Sequence, residues 1–187
     1  LIDQQFNAGK VYVYGLEALF EQRFELPAAL QLRVGGSYTW TGSAFQSDFT
    51  SASAMFGSVH RGDKLSYVPE HQGSAHVTMV SPVSSFELAL SVQGPMRDLP
   101  GQGEIPEELL IPEHATLELA ADLQVLPHLS LYATVNNLTN ASYMTSRRPY
   151  GARGTRPIHA MFGLKIAAAP GRTNLSEVIQ EAIRSGN

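Results

Sequence analysis

The chain has 187 residues, a formal net charge of -4, a pI near 5.8 and no cysteine. That balance excludes a nucleic-acid partner, whose phosphates need a basic stripe, and the missing thiols exclude disulfide frameworks and thiolate metal sites. Hydrophobic residues make up 43% and charged residues only 16%, yet mean hydropathy is -0.09, so Ser, Thr, Gln, Asn and Gly supply the polarity of a surface half in lipid and half in a wet lumen.

No run of eighteen apolar residues exists, so no helix is expected to cross a membrane. The chain opens on Leu1-Ile2-Asp3-Gln4 without a signal peptide, and the reading is a fragment of a secreted protein. From Tyr12 onward the residues alternate with period two, the signature of a half-buried strand. Tyr12, Tyr14, Leu16, Ala18 and Phe20 share one face, with Phe24 after a break at Gln22, and Gly15, Glu17, Glu21 and Arg23 share the other. Leu30, Leu32, Val34, Gly36, Tyr38 and Trp40 repeat the pattern against Gln31, Arg33, Ser37 and Thr39. A weaker run spans Tyr67 to Val80, with Ala75, Val77 and Met79 on its apolar face. Clean runs then follow at Phe86 to Gln93, Ala115 to Val125, Leu129 to Asn136 and Ile158 to Ile166.

Each run is about ten residues, the reach a tilted strand needs to cross a bilayer. Connections alternate by parity. Glu25 to Ala29, Ser81 to Ser85 and Leu126 to His128 are short, whereas Gly42 to Ser66, Arg97 to His114 and Ser142 to Arg156 are long. Outer-membrane barrels sort their loops this way, with tight periplasmic turns and long extracellular loops. Tyr12, Tyr14, Phe24, Tyr38, Trp40 and Phe86 sit at strand ends, as in the aromatic girdles that mark the two headgroup levels. No charged residue falls mid-strand on the apolar face of the clean runs, where an Arg or Lys costs about 2–4 kcal/mol at the midplane.

The predicted fold class is therefore all-β, an antiparallel transmembrane β-barrel over residues 1–166. Residues 167–187 are predicted to be a linker and a short amphipathic helix. Ala167 to Gly171 is the linker, and Asn174 with Glu177 caps a helical spacing of Leu175, Val178, Ile179, Ala182 and Ile183. Open strand edges in lipid leave unsatisfied backbone groups, so the barrel must close, through further strands or on itself as a small eight-stranded barrel.

Several ordered segments carry a family resemblance. Asn136-Asn137-Leu138-Thr139-Asn140-Ala141-Ser142-Tyr143 resembles the NLxD-x-x-Y segment of the penultimate strand in TonB-dependent receptors. Asn7-Ala8-Gly9-Lys10 with Gly15-Leu16-Glu17, Gly62 to His71, and Ser146 to Gly151 followed by Gly154 to Pro157 and Phe162-Gly163-Leu164 are similar to other segments of that family in the same order. The resemblance spans residues 6 to 166 and implies about the last eight strands of a barrel of about 22 strands. It also implies an outer-membrane location in a Gram-negative bacterium, a missing N-terminal plug through which TonB acts, and cargo that is a ferric chelate. Gly103 to Pro106 and the Ser-Arg…Gly pattern lean toward the ferric-dicitrate type among siderophore receptors. The chain departs from the family in one respect: 21 residues follow Ile166, where the last strand should end on an aromatic residue.

Arg147, Arg148 and Arg153, with Tyr150 near them and Arg97 in another long loop, are the candidate ligand-binding residues. Guanidinium forks match the carboxylates of an anionic chelate. The alternative roles are pairing with lipopolysaccharide phosphates, simple solvation, or holding loop structure. Exposed loop charge is the plainer account of His60 to Lys64 and of Arg97-Asp98. His71, His76 and His159 are expected to face the lumen, and no histidine pair has ligand spacing. Glu17, Glu87, Glu118 and Asp122 lie on polar strand faces, so neither an enzyme, nor a cofactor, nor a resident metal is expected. The competing readings are a small outer-membrane barrel with adhesin, porin or structural roles, and a soluble all-β carbohydrate-binding module.

Overall fold

A computed structural model describes residues 9–53, 55–148 and 150–167. Seven long strands form one antiparallel sheet: β1 (Val11–Leu26), β2 (Leu30–Phe45), β3 (His71–Val80), β4 (Ser84–Gln93), β5 (His114–Leu126), β6 (Leu129–Asn136) and β7 (His159–Ile166). Each strand pairs with the one before it in sequence, so the sheet is an up-and-down meander with β1 and β7 at its edges. Every alternating run of the sequence has become a strand. The seven described strands are one fewer than the eight or so expected, and the sheet they make is open. The helix expected from Asn174 to Ser185 and most of the linker before it lie outside the described residues.

Register keeps like with like. Val77 stands opposite Val34 and Leu88, Leu88 opposite Leu119, and Leu131 opposite Leu123 and Leu164. A slip of one residue would send each of these to the other face. Along this face Leu16, Phe20, Leu88, Leu131 and Phe162 are exposed, and an apolar surface so continuous has no stable place in water. The opposite face is stitched by polar pairs. Ser37 and Ser74 share a 2.7 Å bond, Thr78 donates to Glu87 at 3.0 Å, and Lys165 donates to Asp122 at 2.8 Å. Three rings on these strands lie across a directly opposed glycine: Tyr14 over Gly42, His76 over Gly35 and Tyr132 over Gly163. A Cβ at any of the three would collide with the ring.

At 16 residues each, β1 and β2 outrun the ten or so that a bilayer needs. Their upper ends stay paired because Phe45, fully buried, docks into the loops above rather than into lipid. The weaker run corrects in two places. Its strand starts at His71, and Tyr67 lies in the preceding loop with φ 58, a conformation that ends extended structure. His71 does not face the lumen. It pairs with Trp40, on the face of Ala75 and Val77, and its Nδ1 shares a 2.7 Å bond with the Tyr38 hydroxyl. Parity alone dictates this, since His71 is an even number of residues from Val77, and the girdle offers the imidazole a polar partner.

Short turns close the other end at residues 27–29, 81–83 and 127–128. The first is costly: Ala28 and Ala29 both hold positive φ, 62 and 56, at the centre of the turn that the Leu30 N–H closes on the Pro27 carbonyl. Replacing Ala28→Asn together with Ala29→Gly should therefore stabilise the hairpin, by about 1–2 kcal/mol, seen as a higher denaturation midpoint of the refolded barrel. The two faces can be told apart by charge. Leu88→Arg should destabilise insertion by about 2–4 kcal/mol, and Ala89→Arg, one residue along on the polar face, should cost far less; equal losses in a folding titration into lipid would reverse the assignment of faces.

Candidate functional site

The three long connections, residues 46–70, 94–113 and 137–158, all leave the same end of the sheet. There, above the lipid, water is present and apolar side chains gather in the ordinary way. Phe45, Val59, Met96 and Ile111 are the buried hydrophobic residues among those described. Phe49 packs edge-on against Phe45 and Phe56, with centroids 5.5 and 6.0 Å away. Two-residue ladders stiffen the loops, Phe49–Thr50 with Ser58–Val59 and Met96–Arg97 with Leu110–Ile111. The first two loops are knitted together. Lys64 and Gly101 exchange backbone bonds of 2.9 and 3.4 Å, and the Gln102 amide donates to the Arg61 carbonyl and to Asp63 Oδ1, both at 3.1 Å.

A charged node lies beside this cluster. Asp98 is 1% exposed, and a carboxylate so buried demands partners. It has them from two other loops: the Tyr67 hydroxyl donates to Oδ1, and Arg148 Nε donates to Oδ2 at 2.8 Å. The same hydroxyl accepts the backbone N–H groups of Arg147 at 3.3 Å and Arg148 at 3.0 Å, so its one donor and both lone pairs are used. Arg147 sends Nε and Nη2 to the Leu110 carbonyl, and Arg97 sends Nη2 to the Gly103 carbonyl. Burial, and then the bond to Asp98, push the Tyr67 phenol above its ordinary value.

The last loop is anchored at its base by asparagines. Asn137, 5% exposed and at φ 51, donates through Nδ2 to the carbonyls of Ala141 and Arg156 and accepts from the Ala141 N–H through Oδ1. Asn140 Oδ1 accepts the Ile158 N–H at 2.9 Å. Asn tolerates positive φ and offers both donor and acceptor, which is why this segment joins the end of β6 to the start of β7. Below the loops, Ser37, Thr39, Gln72, Ser91, Gln93 and Thr116, with His114, line a cleft of about 300 Å³ on the polar face.

These positions sort the residues picked from sequence. Arg97, Arg147 and Arg148 are brought together around Asp98, with side chains bonded to loop carbonyls or to that carboxylate. Arg97 and Asp98 are buried, so exposed loop charge does not describe them; nor does it describe Asp63, 5% exposed, whose Oδ2 accepts the His60 N–H at 2.8 Å. Arg153 and Tyr150 stand apart and exposed, the guanidinium 5.6 Å from the ring centroid. Sequence reasoning placed Tyr67 in the weaker strand and Asp98 among exposed loop charges, and missed that the two meet. The only signal was Tyr67 itself, an aromatic between a glycine-led loop and a Val-Pro step.

The family described as TonB dependent receptor-like, beta-barrel matches residues 2–138. The chain belongs to this family. Membership places it in the outer membrane of a Gram-negative bacterium and sets aside the soluble carbohydrate-binding reading. The fold agrees with a solved receptor, the closed form of the ferric-catecholate import receptor Fiu from E. coli, at 11% identity and a TM-score of 0.50. The open form of Fiu aligns at 13% identity with a TM-score of 0.48. Each alignment covers 82% of this chain, and the chain spans only 27% and 26% of the two receptors. No curated protein matches the chain in sequence.

Two outcomes follow from the node. Asp98→Ala should loosen the loop junction by about 1–3 kcal/mol, read as faster amide exchange at Arg147 and Arg148. Alkaline titration should find Tyr67 ionising later than an ordinary phenol. Because its folded value is raised, its contribution is intact below pH 10.0, the ordinary value, and is lost as pH climbs from there through the folded value. Tyr67→Phe should delete a late-titrating tyrosine from the ultraviolet absorbance curve.

Proposed function

We propose that this chain forms part of the wall and mouth of an energised importer that takes up a ferric chelate. In this reading a plug region outside the chain fills the barrel and engages TonB, while the long loops capture the cargo. What supports it is a barrel-family wall whose three long loops converge at one end, with the exposed Arg153–Tyr150 pair beside the mouth. A guanidinium forks onto carboxylate oxygens and a phenol ring stacks on flat ligands, so ferric citrate and ferric catecholates or other siderophores are all within reach of this chemistry.

The five candidate residues then divide their work. Arg153 and Tyr150 contact the chelate directly, with Arg148 behind them, its side chain 35% exposed. Arg97 and Arg147 shape the mouth through the carbonyls they hold. Iron enters as cargo already wrapped by its chelator, so the protein needs no resident metal. Outer-membrane lipid and lipopolysaccharide surround the apolar face.

Equilibrium binding to the full-length receptor tests the reading with ferric citrate and a ferric catecholate as probes. A desolvated charge-assisted bond predicts a loss of about ten- to a hundredfold in affinity for Arg153→Ala. Tyr150→Ala should add a smaller loss. If the double variant binds both chelates as the parent does, while retaining less lipopolysaccharide phosphate after washing, the arginine serves the lipid surface and the binding proposal fails.

A further inference from the structure

We infer that Tyr67, Asp98 and Arg148 form a latch that fastens the last long loop to its neighbours and can let it go while those neighbours stay joined. The asymmetry of the connections carries this. The first two loops share backbone bonds at Lys64 and Gly101, the Gln102 amide bonds to Arg61 and Asp63, and the Tyr67 N–H donated to the Arg97 carbonyl at 3.0 Å. Among the described residues, the hydrogen bonds that tie residues 137–158 to those loops all end on Arg147 and Arg148.

The rest of the last loop is bound to itself or to the strands. Its own ladder joins Met144–Ser146 to Arg153–Gly154, Tyr143 and Thr155 exchange bonds, and the Asn137 and Asn140 side chains clasp its base. The loop is thus a stiff flap with a hinge at the asparagines and an outer attachment gathered at Arg147 and Arg148, where Arg147 also holds the Leu110 carbonyl and Met144–Ser146 lies against Leu110–Ile111. That attachment is polar, and Arg148 remains open to solvent on one side. Water or an incoming anion can therefore replace its partner, whereas an apolar seam would leave nothing to exchange. The two halves of the latch lie on different loops, so breaking it moves the flap without unpicking either hinge or ladder. A ligand shifts such an equilibrium only by binding one state better than the other, and Arg153 rides on the flap.

The test needs no ligand, so its result stands apart from that of the binding experiment. The chain has no cysteine, and spin labels are placed on the full-length receptor in detergent through Glu104→Cys with Tyr150→Cys. Ser58→Cys with Glu104→Cys spans the first two loops as the control pair. Tyr67→Phe and Asp98→Asn should each raise the ratio of long to short distances for the first pair about tenfold, and leave the control pair narrow. Arg148→Lys, on the open side of the node, should give a smaller rise, and it replaces the others if a buried change blocks insertion. Heat-dependent gel migration confirms the barrel in every case. Unchanged distances for the first pair overturn the latch. Equal broadening of both pairs overturns it too, since the loops would then be unravelling as one body.

Discussion

A bilayer contains no water to satisfy a peptide group, and this requirement governs the molecule. Every N–H and C=O at membrane depth must find a partner in the protein, which strands achieve only by pairing on both sides. The meander of β1 to β7 meets the demand for its inner strands. The same demand falls on the outer flanks of β1 and β7, and a closed wall is its general solution. Face assignment follows directly. With the backbone committed to pairing, side chains alternate, and the apolar set turns toward lipid while Ser, Thr, Gln and the paired charges turn inward.

This arrangement inverts the usual relation between core and surface. Many of the large apolar residues of the sheet are exposed, and the buried hydrophobic side chains among the described residues lie in the loops or, for Phe45, at the strand end that meets them. Loops surrounded by water can use the hydrophobic effect, and they use it around Phe45, Val59, Met96 and Ile111. A core this small cannot order long connections by itself, so buried polar groups take up the rest: Asp63 under Gln102, Asp98 under Tyr67 and Arg148, Asn137 under its own loop. Each is satisfied by named partners, the condition under which a buried polar group specifies one arrangement.

Much of this was legible in the sequence, for a physical reason. Period-two alternation is a local property, so all seven strands could be read from their own residues. Loop parity and the girdles are local as well. The asparagine segment before Tyr143 was visible as a pattern, and the structure supplies its cause in positive φ and an amide that bonds in both directions. What stayed hidden depends on contacts distant in sequence. Tyr67 meets Asp98 from 31 residues away, and Arg148 meets Asp98 from 50; nothing near any of the three announces the others. The arginine cluster therefore left ligand binding and loop structure both open, and three of its four members, with Arg97 counted, bond to groups within the protein. Strand length misled for a related reason: the bilayer sets a minimum, and β1 and β2 exceed it because Phe45 found a core above the membrane.

The placement of that core has a thermal consequence. Heat capacity of unfolding comes from apolar surface passing into water, and the lipid-facing side chains of the sheet need not make that passage while they remain in a membrane. The loop cluster must. The cap and the wall should accordingly answer temperature by different laws, the cap weakening on cooling as hydrophobic association does and the ladder of the wall holding. In a cold environment, the mouth of this protein is the part whose shape becomes negotiable first.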